Sequence, residues 1–169
     1  MNGKLSTRPP RTYVTAKSTH LIRRVALGLL AAGLVLMALQ YPSLPDTLPI
    51  HYNLEGEVDG WGGRWTVLLM GGVSVLVVGG TAWISHYPRI FNYAREVSEE
   101  NAQALYQAGE DMMVWIMAAA SLLFTSLLVI SIFPDSEWIR ENGILMVMIY
   151  GPIAIFGALI AGLVRILRA

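Results

Sequence analysis

Met112-Met-Val-Trp-Ile-Met-Ala-Ala-Ala-Ser-Leu-Leu-Phe-Thr-Ser-Leu-Leu-Val-Ile-Ser-Ile-Phe133 contains no Asp, Glu, Lys, Arg or His. A helix on the surface of a soluble protein keeps one wet face, and this run has none. A membrane span needs roughly 17–25 mostly apolar residues at about 1.5 Å rise each, which the run supplies. Three further apolar runs flank it: Val25 to Gln40, Thr66 to Ile84, and Ile144 to Leu163. The first reaches span length only by extending back to Leu21 or forward to Tyr41, with Arg23 and Arg24 snorkelling to the interface. Composition agrees: 54% of residues are hydrophobic, 14% are charged and mean hydropathy is +0.52, whereas soluble domains are about 25% charged. The expectation is an all-α membrane protein with four transmembrane helices, over about 21–41, 65–84, 111–133 and 143–164. A short structured extracytoplasmic loop, 42–64, joins the first two.

Orientation follows from the basic residues. Lys4, Arg8, Arg11, Lys17, Arg23 and Arg24 precede span one; Arg89 and Arg95 lie between spans two and three; Arg165 and Arg168 end span four. Only Arg64 and Arg140 fall in the other connections. The positive-inside rule places both termini in the cytoplasm of a bacterial plasma membrane. Asp46, Glu55, Glu57, Asp59, Asp135, Glu137 and Glu141 then lie outside, so the net charge of zero hides a basic inner and an acidic outer side. Span one reads as a signal-anchor, because Ala38-Leu39-Gln40-Tyr41 offers no good small-x-small cleavage site.

The absence of cysteine excludes disulfides, thiolate metal sites, haem attachment and cysteine nucleophiles. Stability must come from helix packing in lipid, where small residues let backbones approach. Gly28, Gly33, Gly71, Gly72, Gly79, Gly80, Gly151, Gly157 and Gly162 mark candidate packing surfaces, and Pro152 predicts a kink in span four. Residues 1–20, polar and holding Pro9-Pro10, read as a disordered basic arm preceding a four-helix domain over 21–169. Ser85 to Pro88 breaks the second helix. Ser98 is a plausible N-cap for a cytoplasmic helix that runs into span three. Trp138, in the short outer connection 134–142, is placed as an interfacial anchor.

Chemistry concentrates in the first outer loop. Pro42, Pro45 and Pro49 stiffen its start. Ile50, Tyr52 and Leu54 alternate with His51, Asn53 and Glu55 as in a strand, Gly56 suits a turn, and Glu57-Val58-Asp59 can run back. Gly60, Gly62 and Gly63 loosen the return, while Trp61 and Trp65 belong at the headgroup level. His51, Asn53, Glu57 and Asp59 offer one nitrogen and several oxygens to a divalent metal. However, zinc sites usually bring a second His or Cys and the spacing matches no calcium loop. The favoured expectation is that His51 and Asn53 bond loop backbone while the acids are solvated, with no metal, cofactor or catalytic residue. Pro45, Pro49, His51, Tyr52, Asn53, Gly56, Glu57, Asp59 and Trp61 form the candidate recognition loop. A second candidate is the charge cluster at the cytoplasmic mouth of span three, where Glu110 and Asp111 could pair with Arg165.

Two blocks carry a family resemblance. Leu44-Pro45-Asp46, Leu48-Pro49, His51-Tyr52-Asn53, Gly56-Glu57, Asp59 and Trp61 form the first; Phe91-Asn92-Tyr93, Glu100-Asn101 and Tyr106 form the second. Together they resemble the bacterial integral-membrane domain of unknown function at the N-terminus of SdpI-type immunity proteins. The resemblance implies a polytopic membrane protein without known catalysis; the immunity members carry a further membrane domain beyond the stretch it covers. The function expected is recognition of an envelope peptide, lipid or protein through the outer loop, of immunity or signalling type. An accessory subunit of a respiratory or transport assembly is the alternative. A transporter fits less well, because the apolar runs carry none of the ionisable residues that mark ion pathways. Partners expected are membrane lipids and a membrane protein or second copy, with no nucleic acid.

Overall fold

The computed structural model describes residues 8–53, 55, 57–134 and 136–169. Leu54 and Gly56 of the candidate loop, Asp135, and residues 1–7 of the arm lie outside the described residues. The fold is mostly helical, with four helices long and apolar enough to cross a membrane. They are α1 (Lys17–Gln40), α2 (Trp65–Ile84, with a wider π-type turn over Val75–Gly79), α3 (Ala102–Ile132) and α4 (Ile144–Arg168). Between α1 and α2 lies an antiparallel ribbon of β1 (Thr47–Tyr52) and β2 (Val58–Gly63). The molecule therefore has a hairpin end and an opposite, terminus end that carries residues 8–16 and the C-terminal Ala169.

α3 is the hub, packing against α1, α2 and α4 and reaching β1. Its contacts with α1 are close because small residues face them: the Ser121 hydroxyl donates to the Ala26 carbonyl at 2.6 Å, and a Cβ on Gly33 would lie 3.0 Å from the Thr125 methyl. The core forms three storeys. Ala26, Leu30, Val78, Ala82, Val114 and Met117 fill the middle. Leu44, Leu48, Val67, Leu128 and Ile132 close the hairpin end, and Tyr93, Leu105, Tyr106 and Ile166 close the terminus end. Other glycines divide into two groups. Gly71, Gly151 and Gly162 face Met37, Leu123 and Met112, whereas a Cβ on Gly28, Gly72, Gly79, Gly80 or Gly157 meets nothing among the described residues within 4 Å. The expected packing role thus holds within the bundle for the first group only.

Three boundaries differ from expectation. Residues 8–16, expected within a disordered arm, form no helix or strand but are tied to the bundle, and α1 begins at Lys17. α3 begins at Ala102 instead of following Ser98, because the Asn101 side chain accepts the Ser98 N–H at 2.9 Å and donates to the Glu96 carbonyl at 3.0 Å. That turn takes the place of a first helical turn. β2 runs on to Gly63, where loosening was expected. Glycine here permits close strand approach: a Cβ on Gly60 would lie 2.8 Å from the His51 Cβ, and one on Gly62 2.9 Å from Ile50. Pro152 sits inside α4, which runs through it uninterrupted.

Candidate functional site

At the hairpin end the ribbon is fixed from below. Leu48 is fully buried among Leu44, Val67 and Leu128. Arg64 clamps the base: its N–H donates to the Asp46 carbonyl at 3.0 Å, its guanidinium contacts the Leu44 carbonyl at 3.4 Å, and it lies 5.7 Å from the Tyr41 ring centre. The sequence placed Asp46 in a motif but gave Arg64 no role. Partners near the turn are local. The Asn53 carboxamide oxygen accepts the N–H groups of Glu55 and Glu57 at 3.0 and 2.8 Å, an Asx-type cap that closes the turn. His51 contacts Asp59 across the ribbon, Nδ1 to Oδ1 at 2.5 Å, instead of the loop backbone expected of it. The histidine has a carboxylate opposite because the register sets His51 against Gly60, with irregular pairing on either side. Glu55, Glu57, Asp59 and Trp61 are exposed, as is Pro45 nearer α1.

The ribbon roofs a groove. Pro49, Ile50 and Tyr52 above, with Val67, Met70 and Val73 of α2 and Leu127 and Ile130 of α3, enclose about 390 Å³ of mainly apolar space. Burial raises the Tyr52 phenol above the ordinary tyrosine range, which keeps it a neutral donor at the groove's rim. The structure thus brings Pro49 and Tyr52 to the groove and His51, Asn53, Glu57 and Asp59 to the exposed face. Their side chains pair with one another in two local sets instead of converging on one point.

The terminus end holds a denser polar centre than the sequence suggested. Glu110, 1% exposed, receives Arg23 at 2.8 Å, Arg11 at 3.0 Å, the Tyr13 hydroxyl at 2.7 Å and the Thr15 hydroxyl at 3.0 Å. Four side chains thus share its two carboxylate oxygens. The expected pairing with Arg165 is made by Asp111 alone, at 3.8 Å, while Thr19 donates to its other oxygen at 2.7 Å. Adjacent helical residues point about 100° apart, so Glu110 and Asp111 serve different neighbours. Arg23 does not snorkel to the interface; it is 6% exposed and also reaches the Ser85 hydroxyl at 3.2 Å. A sequence signal existed, since Thr19, Arg23, Ala26, Leu30 and Gly33 recur at helical spacing on the buried side of α1.

The arm is strapped down further along its length. Arg8 donates to the carbonyls of Arg89 and Phe91 at 2.7 Å, and Arg89 returns a bond to the Arg8 carbonyl at 2.6 Å. The Gln103 carboxamide links Pro10 and Thr12, and the Tyr106 hydroxyl donates to the Pro9 carbonyl at 3.1 Å. Burial, then the hydrogen bond to Glu110, pushes the Tyr13 phenol well above the ordinary value. Burial with Tyr106 beside it does the same to Tyr93. Gly109 admits this cluster, since a Cβ there would lie 2.6 Å from the Tyr93 oxygen and 3.0 Å from Phe91. The second block of resemblance therefore builds this end: Phe91, Tyr93 and Tyr106 pack it, and Asn101, just before α3, ties back to Ser98 and Glu96.

Compared with known families, residues 28–75 match the model of a domain of unknown function, DUF1648. The matched stretch starts within α1, takes in the whole hairpin and ends within α2, so it contains the first block and not the second. No curated protein and no solved structure matches the chain.

Proposed function

We propose that this chain is a non-catalytic, multi-pass membrane protein of a bacterial plasma membrane that recognises an envelope peptide, lipid or protein through its hairpin. Both termini lie in the cytoplasm, so the hairpin faces outward. The carrying observation is the combination of an exposed acidic ribbon face with a 390 Å³ apolar groove beneath it. An amphipathic ligand can satisfy both surfaces, and a ribbon already anchored by Leu48 and Arg64 loses little entropy on binding. The immunity or signalling role implied by the SdpI-type resemblance is of this kind. The polar centre around Glu110 serves as a latch for the arm.

The test is a graft of Ser-Gly repeats over residues 49–59, paired with photocrosslinking from position 61. Membrane insertion should persist, because the four apolar helices and the charge asymmetry remain, while the crosslinked species and any associated protection phenotype should disappear. A graft that behaves like wild type would reject recognition by the hairpin.

The accessory-subunit reading has its own observation. A Cβ on Gly72, Gly79 or Gly80 meets nothing among the described residues within 4 Å, and Leu76 and Trp83 are exposed on the same helix. Loss of function in Gly79→Leu with the hairpin graft silent would make the α2 face the interaction surface and favour a subunit of a larger assembly.

A further inference from the structure

α3 and α4 close up at Gly151 and Gly162 and leave room between. A Cβ on Gly151 would lie 2.6 Å from Leu123, and one on Gly162 would overlap the Met112 side chain; one on Gly157, between them, meets nothing among the described residues within 4 Å. The gap is a groove of about 500 Å³, with Ala118, Ala154 and Ala158 along it and Trp115 as one wall. Its lining runs along α4 from Ala154 to Arg165, which at helical rise is about 16 Å. That is close to half of the roughly 30 Å hydrocarbon core, so the slot is as deep as one leaflet.

One end of the slot is cationic. Arg165 lines it, has a side chain 61% exposed, and makes a long, 3.8 Å contact to Asp111. Arg168 ends the same helix, and Arg95 donates to the Leu167 carbonyl at 3.2 Å, which brings a third guanidinium to this terminus. Asp111 is the acidic group facing Arg165, and it is engaged by Thr19 at 2.7 Å. A leaflet-deep apolar slot ending in arginines complements an acyl chain that ends in a phosphate.

We infer that the α3–α4 groove is a binding site for an anionic phospholipid of the leaflet at the terminus end. One acyl chain lies over Gly157 and the alanines, and the headgroup phosphate meets Arg165 with Arg95 and Arg168 nearby. The site is separate from the hairpin and does not depend on what the hairpin binds. Juxtamembrane arginines each favour anionic headgroups over neutral ones by a few-fold.

Native mass spectrometry of the intact chain in neutral detergent, titrated with phosphatidylglycerol or phosphatidylcholine of identical chains, tests it. Wild type should retain one phosphatidylglycerol in preference to phosphatidylcholine. Arg165→Gln should reduce that preference by about fivefold. Gly157→Leu puts a side chain into the slot where a Cβ meets no described atom within 4 Å, and should remove the bound lipid of both kinds. Equal retention of the two lipids by wild type, or undiminished phosphatidylglycerol binding in both variants, would overturn the site. So would a shift of Gly157→Leu to a smaller oligomer, because another polypeptide would then occupy the groove. Should Gly157→Leu fail to fold, the headgroup preference of Arg165→Gln still decides.

Discussion

Glu110, on α3, carries the terminus end because the arm, through Arg11 and Tyr13, and α1, through Arg23, both bond to its carboxylate. Removing one member of a buried pair strands the other, at a cost of about 3–5 kcal/mol. Glu110→Ala should therefore lower the thermal midpoint in detergent sharply and open residues 8–16 to protease. Pairing it with Arg23→Met should recover much of the loss, and an unchanged midpoint in the single variant would contradict the latch. Tyr13 sets its pH behaviour. Its phenol is held above the ordinary 10.0, so its contribution to docking is complete below that value and falls only as pH rises past it. Protease protection of the arm should be flat from about pH 6 to about pH 9; a loss inside that window would assign the latch to another group. At the other end, Asn53→Ala removes the acceptor for two backbone N–H groups, each worth about 1 kcal/mol. Amide exchange at Glu55 and Glu57 should quicken while the helices keep their protection; unaltered exchange would remove the cap from the account. The hairpin residues were visible in sequence because they are neighbours along the chain. The partners of Glu110 were not, since Arg11, Tyr13 and Thr15 lie 95 to 99 residues away in a segment whose prolines and polar residues read as disorder.

For the elements, lipid makes the helices easy to read and their ends hard. A segment in hydrocarbon must satisfy its own backbone and show apolar side chains all round, so α2 falls over 65–84 as expected. Outside lipid the ends depend on partners that sequence does not display. α3 starts at Ala102 because Asn101 bonds backward to Glu96 and Ser98, and α1 starts at Lys17 because the residues before it are held by the bundle. Glycine roles were legible as a class but not one by one, because the same residue serves inner contacts and outer faces. This gives a contrast to measure. Gly109→Ala should lower the thermal midpoint, since its Cβ would press on Tyr93, which is itself bonded to the Pro88 carbonyl at 2.9 Å. Gly72→Ala, with nothing among the described residues within 4 Å, should be neutral or raise it, because alanine in a helix is favoured by roughly 0.5–1 kcal/mol. Equal effects of the two would mean that Gly109 is not a packing contact.

At the scale of the whole molecule, four apolar helices and a ribbon closing one end divide the chain into an acidic hairpin end and a basic end that holds the arm and the α4 arginines. The charge asymmetry was plain in the sequence, and it sets the proposed orientation. Recognition by the hairpin, latching of the arm and lipid binding beside Arg165 all take their meaning from which side each end faces. A chain without cysteine lets that be measured directly. Glu57→Cys and Arg95→Cys, at two exposed positions on opposite ends, are treated in intact cells with a membrane-impermeant maleimide. Position 57 should label in intact cells, and position 95 only after permeabilisation. Labelling at 95 in intact cells with 57 protected would invert the molecule and remove the hairpin from the envelope side.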